Sequence, residues 1–431
     1  MRLSNLNIKK INLKDIEKNY SGQNILMKLG ELYQYESGIY GYGNLWTKLE
    51  RIVEDIIIDE LDKVGCIQVE FPKLQPKKVW EKSNRWNLYT EENDIMFTLN
   101  NNLGEYGLAP TAEECATIFG ANRLMSYKNL PAIYYQIGEK FRKEIRTRGY
   151  LFRPRTFVMM DAYSFDKNEE DMNKTYDLMH QAYLNIFKRL GIQIIPTVSD
   201  NGTMGGKIAE EFQAITDLGE DIVLYDKENN IGINKEILLF ENKDEYLQQI
   251  GIKDLSNMEE YNSVELGNNF QLGTKYSESM NLFYKDENEN DKPYYMGCYG
   301  IGLGRIIAII LENNIIREND EIKGFSLPLN IAPYKIQIIY KDDKKDSAEK
   351  LYDILNAKGI KSIIDDRKGY SLGNKIKDVY TLGTPYIAII GDKSNGEIIE
   401  VEETKTGNKF SMNINEIEKL FNKNNINQKM I

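Results

Sequence analysis

Residues 139–166, EKFRKEIRTRGYLFRPRTFVMMDAYSFD, hold the side chains best suited to chemistry on phosphate. The first seventeen positions carry seven Lys or Arg against two Glu. Guanidinium groups clustered at a strand end bind phosphate, because each presents a planar fork of donors with permanent charge. A solvated basic hairpin is the plainer meaning of any charge run. Two features favour a site. Arg142 and Glu144 lie two apart and so share one face of a strand. Phe157 follows on the returning run, where an adenine ring could stack.

Three other places carry candidate chemistry. In GLAPTAEECATIFG, Thr111 reads as a helix N-cap with Glu114 at the capping-box position, which leaves Glu113 unused. The run Met296-Gly297-Cys298-Tyr299-Gly300-Ile301-Gly302-Leu303-Gly304-Arg305 opens an apolar helix, and its glycines let backbone approach a ligand closely. Taken alone, that run equally suits a tight turn. His180 is the single histidine, set in an ordinary amphipathic pattern, and is given no role. One histidine and no evident Ser-His or Cys-His pair make most hydrolase mechanisms a poor match. Cys66, Cys115 and Cys298 are odd in number and far apart, so neither a disulfide framework nor a Cys-x-x-Cys metal site is expected. A reducing cytoplasm is the natural compartment.

The elements that must position these residues follow from periodicity. Apolar residues before and after the basic stretch predict a hairpin, one strand ending at Phe141 and the other starting at Phe157. Leu45, Leu49, Ile52, Val53, Ile56, Ile57 and Leu61 mark a helix over 45–63. Gly65 stops it, 67–71 alternates as a strand, and Pro72 closes the strand. Residues 1–36 read as an irregular or helical lead-in, and 169–190 as an amphipathic helix. The polar 225–263 stretch shares the Asn, Lys and Ile bias of the whole chain and is not set apart as disordered. Prolines at 328 and 333 mark a domain boundary. Beyond them strand and helix alternate, the pattern of a small α/β domain with a largely parallel sheet.

At 431 residues the chain has room for two or three domains, and 41% hydrophobic with 28% charged residues is ordinary for a globular protein. No stretch has the apolar length of a signal peptide or membrane span. The net charge of −11 disfavours non-specific attraction to nucleic acid, yet a local basic face still binds phosphates.

Phe141-Arg142-Lys143-Glu144 followed by Arg153-x-x-x-Phe157 resembles motif 2 of the class II aminoacyl-tRNA synthetases. The DAYSFD after it is similar to the bacterial-type prolyl enzymes. Further blocks resemble the same family in order. The 45–72 helix and strand look like motif 1, which builds a dimer interface in the family. Thr111-Ala112-Glu113-Glu114, the Gly205-Gly206 block, Gly273-Thr274-Lys275-Tyr276-Ser277 and the Gly-x-Gly-x-Gly-Arg of motif 3 follow. Asp365-Asp366-Arg367-Lys368 and Leu382-Gly383-Thr384-Pro385 resemble the prolyl version of the anticodon-binding domain. The threonyl relatives are set aside, because their zinc site needs two histidines.

The resemblance implies an α+β catalytic domain built on an antiparallel sheet over 1–327, and an α/β anticodon-binding domain over 328–431. About 225–263 would fill the slot of the family's editing insertion, so a short form is implied. The implied activity is ATP-dependent activation of proline to prolyl-adenylate and its transfer to tRNA(Pro). ATP and Mg²⁺ would serve it, in a cytoplasmic homodimer with no membrane contact.

By the same resemblance Arg142 should touch the substrate carboxylate and the α-phosphate. Arg305 should hold the far end of the triphosphate and cover adenine opposite Phe157. Glu144 and Arg153 would contact the nucleotide, while Arg146, Arg148 and Arg155 meet either ATP or the tRNA acceptor end. Thr111, Glu113, Glu210 and Cys298 would join Arg142 around the amino acid, Thr111 and Glu113 at its ammonium group. Glu211 would support Mg²⁺, and Asp365, Asp366, Arg367 and Lys377 would bind tRNA. The chain departs from the family where Ala209-Glu210-Glu211-Phe212 replaces Ser-His-Glu-Phe and where Thr156 replaces a glutamate. Ala112 and Asn268 also replace common histidines. Glu210 and Thr156 keep open a paralogue that activates another amino acid or charges another carrier. An inactive RNA-binding subunit is the third reading, opposed by the retention of Arg142, Glu144, Phe157 and Arg305.

Overall fold

A computed structural model describes residues 1–199, 209–240, 243–249, 251–252, 254–395 and 397–421. Gly205, Gly206, Lys207 and Ile208 of the glycine block lie outside them. The chain forms two compact units that do not follow chain order. One comprises 36–39 and 54–306. The other gathers 1–35, 40–53 and 307–431, so the N-terminal segment packs with the C-terminal part of the chain.

The first unit is built on a nine-stranded sheet. Strands Ala132–Phe141 and Thr156–Asp166 pair antiparallel from Ala132 opposite Phe165 to Phe141 opposite Thr156, the hairpin expected from the alternation. Tyr295–Gly302 continues the sheet beside Thr156–Asp166, and Glu259–Gly273 beside that. The polar region expected to replace an insertion carries regular elements among its described residues. Asp221–Asp226 and Ile231–Asn234 pair within it, and Ile233, Ile237, Leu247 and Ile252 form a small core of their own. The strand expected at 67–71 pairs only over Ile67–Gln68, parallel to Tyr134–Tyr135. Past it the Phe71 N–H is drawn to the Gln136 side chain at 2.8 Å, which bends the chain off the ladder.

The helix Glu169–Leu190 covers one face of this sheet. Its buried Met172, Tyr176, Met179, Tyr183, Ile186, Phe187 and Leu190 recur every three or four residues. Asn168 caps its start by accepting from the Asp171 N–H, and Gly191, at φ 69°, closes its end. Acidic residues fill the first turn and Lys188 and Arg189 the last, as the helix dipole favours. At the far end of the sheet the helix Leu303–Asn313 starts directly from Tyr295–Gly302, so the glycine run is a strand-to-helix junction.

In the second unit a five-stranded sheet has the order Ser362–Ile364, Ile336–Tyr340, Tyr386–Ile390, Ile398–Glu403, Lys409–Asn413. The first three strands are parallel and the last two antiparallel, a more mixed sheet than strand–helix alternation suggested. Helix Ser21–Leu29 and the hairpin Leu32–Glu36 with Ile39–Tyr42 give the lead-in more structure than its polarity implied.

Candidate active site

Arg142 is the first residue past the hairpin ladder, and its N–H still donates to the Arg155 carbonyl at 2.9 Å. Lys140 pairs across the hairpin with Phe157, so Arg142 is a diagonal neighbour of that ring on the same face. Its guanidinium carbon lies 5.2 Å from the Phe157 ring centroid. Its Nε donates to the Pro110 carbonyl at 3.3 Å, which ties it to the loop bearing Thr111. Arg142 therefore stands between two places, one at Phe157 and one at Thr111.

Two connected cavities occupy those places. One, of about 80 Å³, is lined by Arg142, Glu144, Phe157, Glu265, Gly302 and Arg305 among others. The second, of about 640 Å³, is lined by residues that include Thr111, Glu113, Arg142, Asp161, Phe270 and Cys298. Arg142, Glu144, Arg153, Asn268 and Gly300 belong to both, so they form one cleft. A Cβ at Gly300 would come within 2.9 Å of the Asn268 amide oxygen, so glycine keeps this shared wall open.

Of the three arginines that line the first cavity, Arg153 and Arg305 are each held by an acid. Arg153 Nε donates to Glu144 at 2.7 Å. Arg305, on the first turn of its helix, donates from Nε to the Phe152 carbonyl at 2.8 Å and from Nη1 to the Glu265 carboxylate at 3.0 Å. Behind Glu265 sits Glu211, whose carboxylate accepts from Gln213 and Asn234 at 2.8 and 3.2 Å. Burial, then the neighbouring charge of Glu265, pushes the Glu211 carboxyl up to about 7. Among the described residues no group of three or more His, Cys, Asp or Glu is placed to hold a metal ion.

The second cavity ends on a buried charge cluster. Glu113 and Glu114, both fully buried, share the Nη1 of Arg85 at 3.1 and 3.0 Å. Thr111 and the Cys298 thiol both donate to Glu113 Oε1, at 2.7 and 3.4 Å. Ser83 donates to Glu114 at 2.6 Å. Arg85 is itself enclosed by Trp80, Tyr89 and Tyr276, with ring centroids 4.5–5.2 Å away. Burial alone would raise both carboxyls. Arg85 and Thr111 outweigh it at Glu113, which is held below the usual range, whereas Glu114 stays raised. The capping box expected here is absent: the helix starts after Ala112, which has no side-chain cap, because Thr111 and Glu114 are turned to Glu113 and Arg85. A buried Lys140–Asp161 pair at 2.6 Å orders the approach. Tyr163 donates to Asp161 at 2.8 Å and accepts from the Ala112 N–H at 3.0 Å, fixing the turn that presents Thr111.

Residues 95–314 match the tRNA synthetase class II core domain (G, H, P, S and T), and residues 329–424 an anticodon binding domain. Over 411 residues the chain is 35% identical to the proline–tRNA ligase of Rickettsia bellii, covering 93% of both. This chain belongs to the proline–tRNA ligase family. The proline–tRNA ligase of Rickettsia akari is also 35% identical, over 91% of this chain and 93% of its own. A solved prolyl-tRNA synthetase of Cryptosporidium parvum, complexed with halofuginone and AMPPNP, shares the fold with a TM-score of 0.73 at 16% identity. It covers 96% of this chain and 79% of its own.

Of the residues the family resemblance singled out, Arg142, Glu144, Arg153, Phe157, Arg305, Thr111, Glu113 and Cys298 line the cleft. Glu210 does not. It alternates with Glu211 along Ala209–Ile215 and so faces the helix Glu169–Leu190, where its carboxylate meets His180 Nδ1 at 2.8 Å. The hydrogen bond to Glu210 raises the His180 pKa above its ordinary 6.5, against partial burial. A raised histidine contributes stability that is complete below pH 6.5 and lost as pH rises through the raised value. Thermal unfolding of His180→Gln should therefore differ from the parent at pH 6 and converge with it at alkaline pH. A gap that persists unchanged at high pH would remove the ion pair as its cause.

The residues singled out for tRNA lie in the second unit. Asp365 is buried and holds Arg367 through Nε and Nη2 at 2.9 and 2.7 Å. Arg367 also meets Asp378 at 3.0 Å. Asp366 accepts from the N–H and hydroxyl of Ser4 at 2.9 and 2.8 Å, and Lys377 is exposed. Arg85, Glu265 and the Lys140–Asp161–Tyr163 chain were not found by sequence reasoning. Nothing in NRWNLY marks its arginine as the partner of carboxylates 28 and 29 residues away.

Proposed function

We propose that this chain activates proline with ATP, forming prolyl-adenylate, and transfers the prolyl group to tRNA(Pro). The observation that carries the reading is the joined cleft, with Arg142 at the junction, Arg305 and Phe157 at one end, and Thr111 with Glu113 at the other.

Activation is attack of the proline carboxylate oxygen on the α-phosphorus of ATP. A new O–P bond forms as the bond to the bridging oxygen breaks, and pyrophosphate leaves with the electron pair. Both reactants are anions, so the barrier lies mainly in aligning like charges and stabilising the charge that builds up. No protein nucleophile is needed. Arg142 reaches both ends of the cleft and so can bridge carboxylate and α-phosphate. Phe157 offers a face for adenine, and Arg305 supplies charge to the outer phosphates. Glu144 and Arg153 close the same wall. The ammonium of proline carries two N–H donors, which Glu113 and Thr111 are placed to accept. Phe270 and the neutral Cys298 thiol give the pyrrolidine ring an apolar wall; burial and Glu113 push that thiol far above its usual range. In the second step the terminal hydroxyl of tRNA attacks the acyl carbon and AMP leaves.

ATP brings its own metal partners, because Mg²⁺ usually takes one or two carboxylates and otherwise phosphate and water oxygens. Glu265 on the cleft wall and Glu211 beside it fit that requirement. The ion would neutralise charge on the outer phosphates. Motif 1, formed by the helix Asn44–Lys63 and the strand after it, supports a homodimer, and the cytoplasm is the compartment where tRNA is charged. No helix among the described residues is long and apolar enough to cross a membrane.

Glu210, which favoured another amino acid, is taken up by His180 outside the cleft, so proline is the reading retained. ATP–pyrophosphate exchange with each of the twenty amino acids tests it. Exchange should be strongest with proline, by about 100-fold or more in kcat/KM over other amino acids, since only a secondary ammonium matches two acceptors. Faster exchange with any other amino acid would sink the assignment.

A further inference from the structure

In the unit that does not hold the catalytic cleft, the N-terminal segment and the C-terminal α/β domain enclose a cavity of about 300 Å³. Lys9, Lys10, Arg367 and Lys368 all line it. Its acidic residue, Asp378, is already paired with Arg367. Lys9, Lys10 and Lys368 have no ion-pair partner among the described residues. The Arg367 guanidinium and the Lys10 ammonium lie 4.4 and 5.7 Å from the centroid of the same ring, Tyr370. Three exposed lysines on one groove make a local positive patch in a chain of net charge −11, which favours an anion at short range.

The groove is held in place before any ligand arrives. The Met1 ammonium donates to the Ser362 carbonyl at 2.9 Å, and the Ile364 N–H to the Met1 carbonyl at 3.0 Å, so the segment extends the sheet edge. Arg2 forms two bonds to Glu349, at 2.9 and 2.7 Å, and Ser4 two to Asp366. The Lys9 N–H is fixed to the Leu29 carbonyl at 3.2 Å. The backbone that carries Lys9 is thereby placed before binding, which lowers the ordering cost of the contact.

We propose that this groove binds the phosphate backbone of tRNA, and that Lys9 and Lys10 of the N-terminal segment are part of the RNA-binding surface. The inference rests on the tRNA-charging reading above and adds a contact lying outside the 329–424 span that matches an anticodon binding domain. Lysine ammonium groups set against phosphate oxygens position the RNA without reading its sequence. An aromatic ring under the same cations suits a strand whose bases are unstacked.

The test compares the full chain with its Lys9→Glu/Lys10→Glu variant. It measures binding of a tRNA(Pro) transcript over a salt series, tRNA charging, and proline-dependent exchange. The dissociation constant should rise about 10-fold or more, and the slope of log K against log salt should shrink by about 1.5, for two lost phosphate contacts. The KM for tRNA should rise in step while exchange is unchanged. Lys405→Glu, an exposed lysine outside the groove, should leave all three as they are. Unaltered affinity and salt slope in the double variant, or an equal loss in Lys405→Glu, would overturn the proposal. Absence of proline exchange in the unaltered protein counts against the catalytic reading instead, and leaves the binding measurement to decide this one.

Discussion

Arg142→Ala should abolish proline-dependent pyrophosphate exchange, with a loss of about 10³-fold or more, or ~4 kcal/mol of transition-state stabilisation. The size follows from what remains. Arg153 is committed to Glu144 and Arg305 to Glu265 and the Phe152 carbonyl. Arg142 has a carbonyl and an aromatic ring as neighbours and, among the described residues, no acid. Among the described residues it is also the arginine that lines both cavities without a carboxylate partner. Without it the α-phosphate and the proline carboxylate meet with their charges unscreened. Far-ultraviolet circular dichroism should be unchanged, because the side chain is only partly buried and its removal leaves no buried charge. Exchange within 10-fold of the parent, in a folded variant, would show that another cation bridges the reactants.

Arg85→Met should be the most destabilising single change, by about 3–5 kcal/mol. Two fully buried carboxylates would lose the cation they share, since no other Lys or Arg pairs with either one among the described residues. Methionine roughly fills the space and keeps contact with Trp80, Tyr89 and Tyr276, so lost charge pairing and not a void is tested. The urea midpoint should fall. Adding Glu114→Gln should recover part of the loss, because it removes one buried charge while keeping a partner for Ser83. The sign with pH is also set. Arg85 holds the Glu113 carboxyl below its usual range. That contribution exists above the unfolded carboxyl value and is lost as pH falls through the folded one. The difference between parent and Arg85→Met should therefore narrow in acid. A midpoint unchanged at neutral pH, or a gap that widens in acid, would mean the cluster is not held together by charge.

Much of the Phe157–Arg305 end of the cleft was legible in the linear chain. Alternation before and after the basic stretch predicts the hairpin, and with it the pairing that sets Arg142 diagonal to Phe157. The glycines ahead of Arg305 predict a strand running into a helix. These are local matters: a strand repeats every two residues and a helix every 3.6, so a short window contains the signal. The amphipathic Glu169–Leu190 helix was readable for the same reason, with Asn168 and Gly191 marking its ends.

The chain's own order of residues thus determined which elements form and which faces they bury. Tertiary structure decided which charges meet. Thr111 and Glu114 look like a capping box in isolation, and lose that role because Arg85 arrives from another element and offers stronger, charged partners. Glu210 looks like a pocket residue, yet one step along its strand puts it on the opposite face to Glu211, against His180. Arg305 meets Glu265, and Met1 meets Ser362, across separations that no sequence period spans. Desolvated charges take whichever partner the packing of distant elements brings within about 3 Å, and that packing is a property of the whole fold.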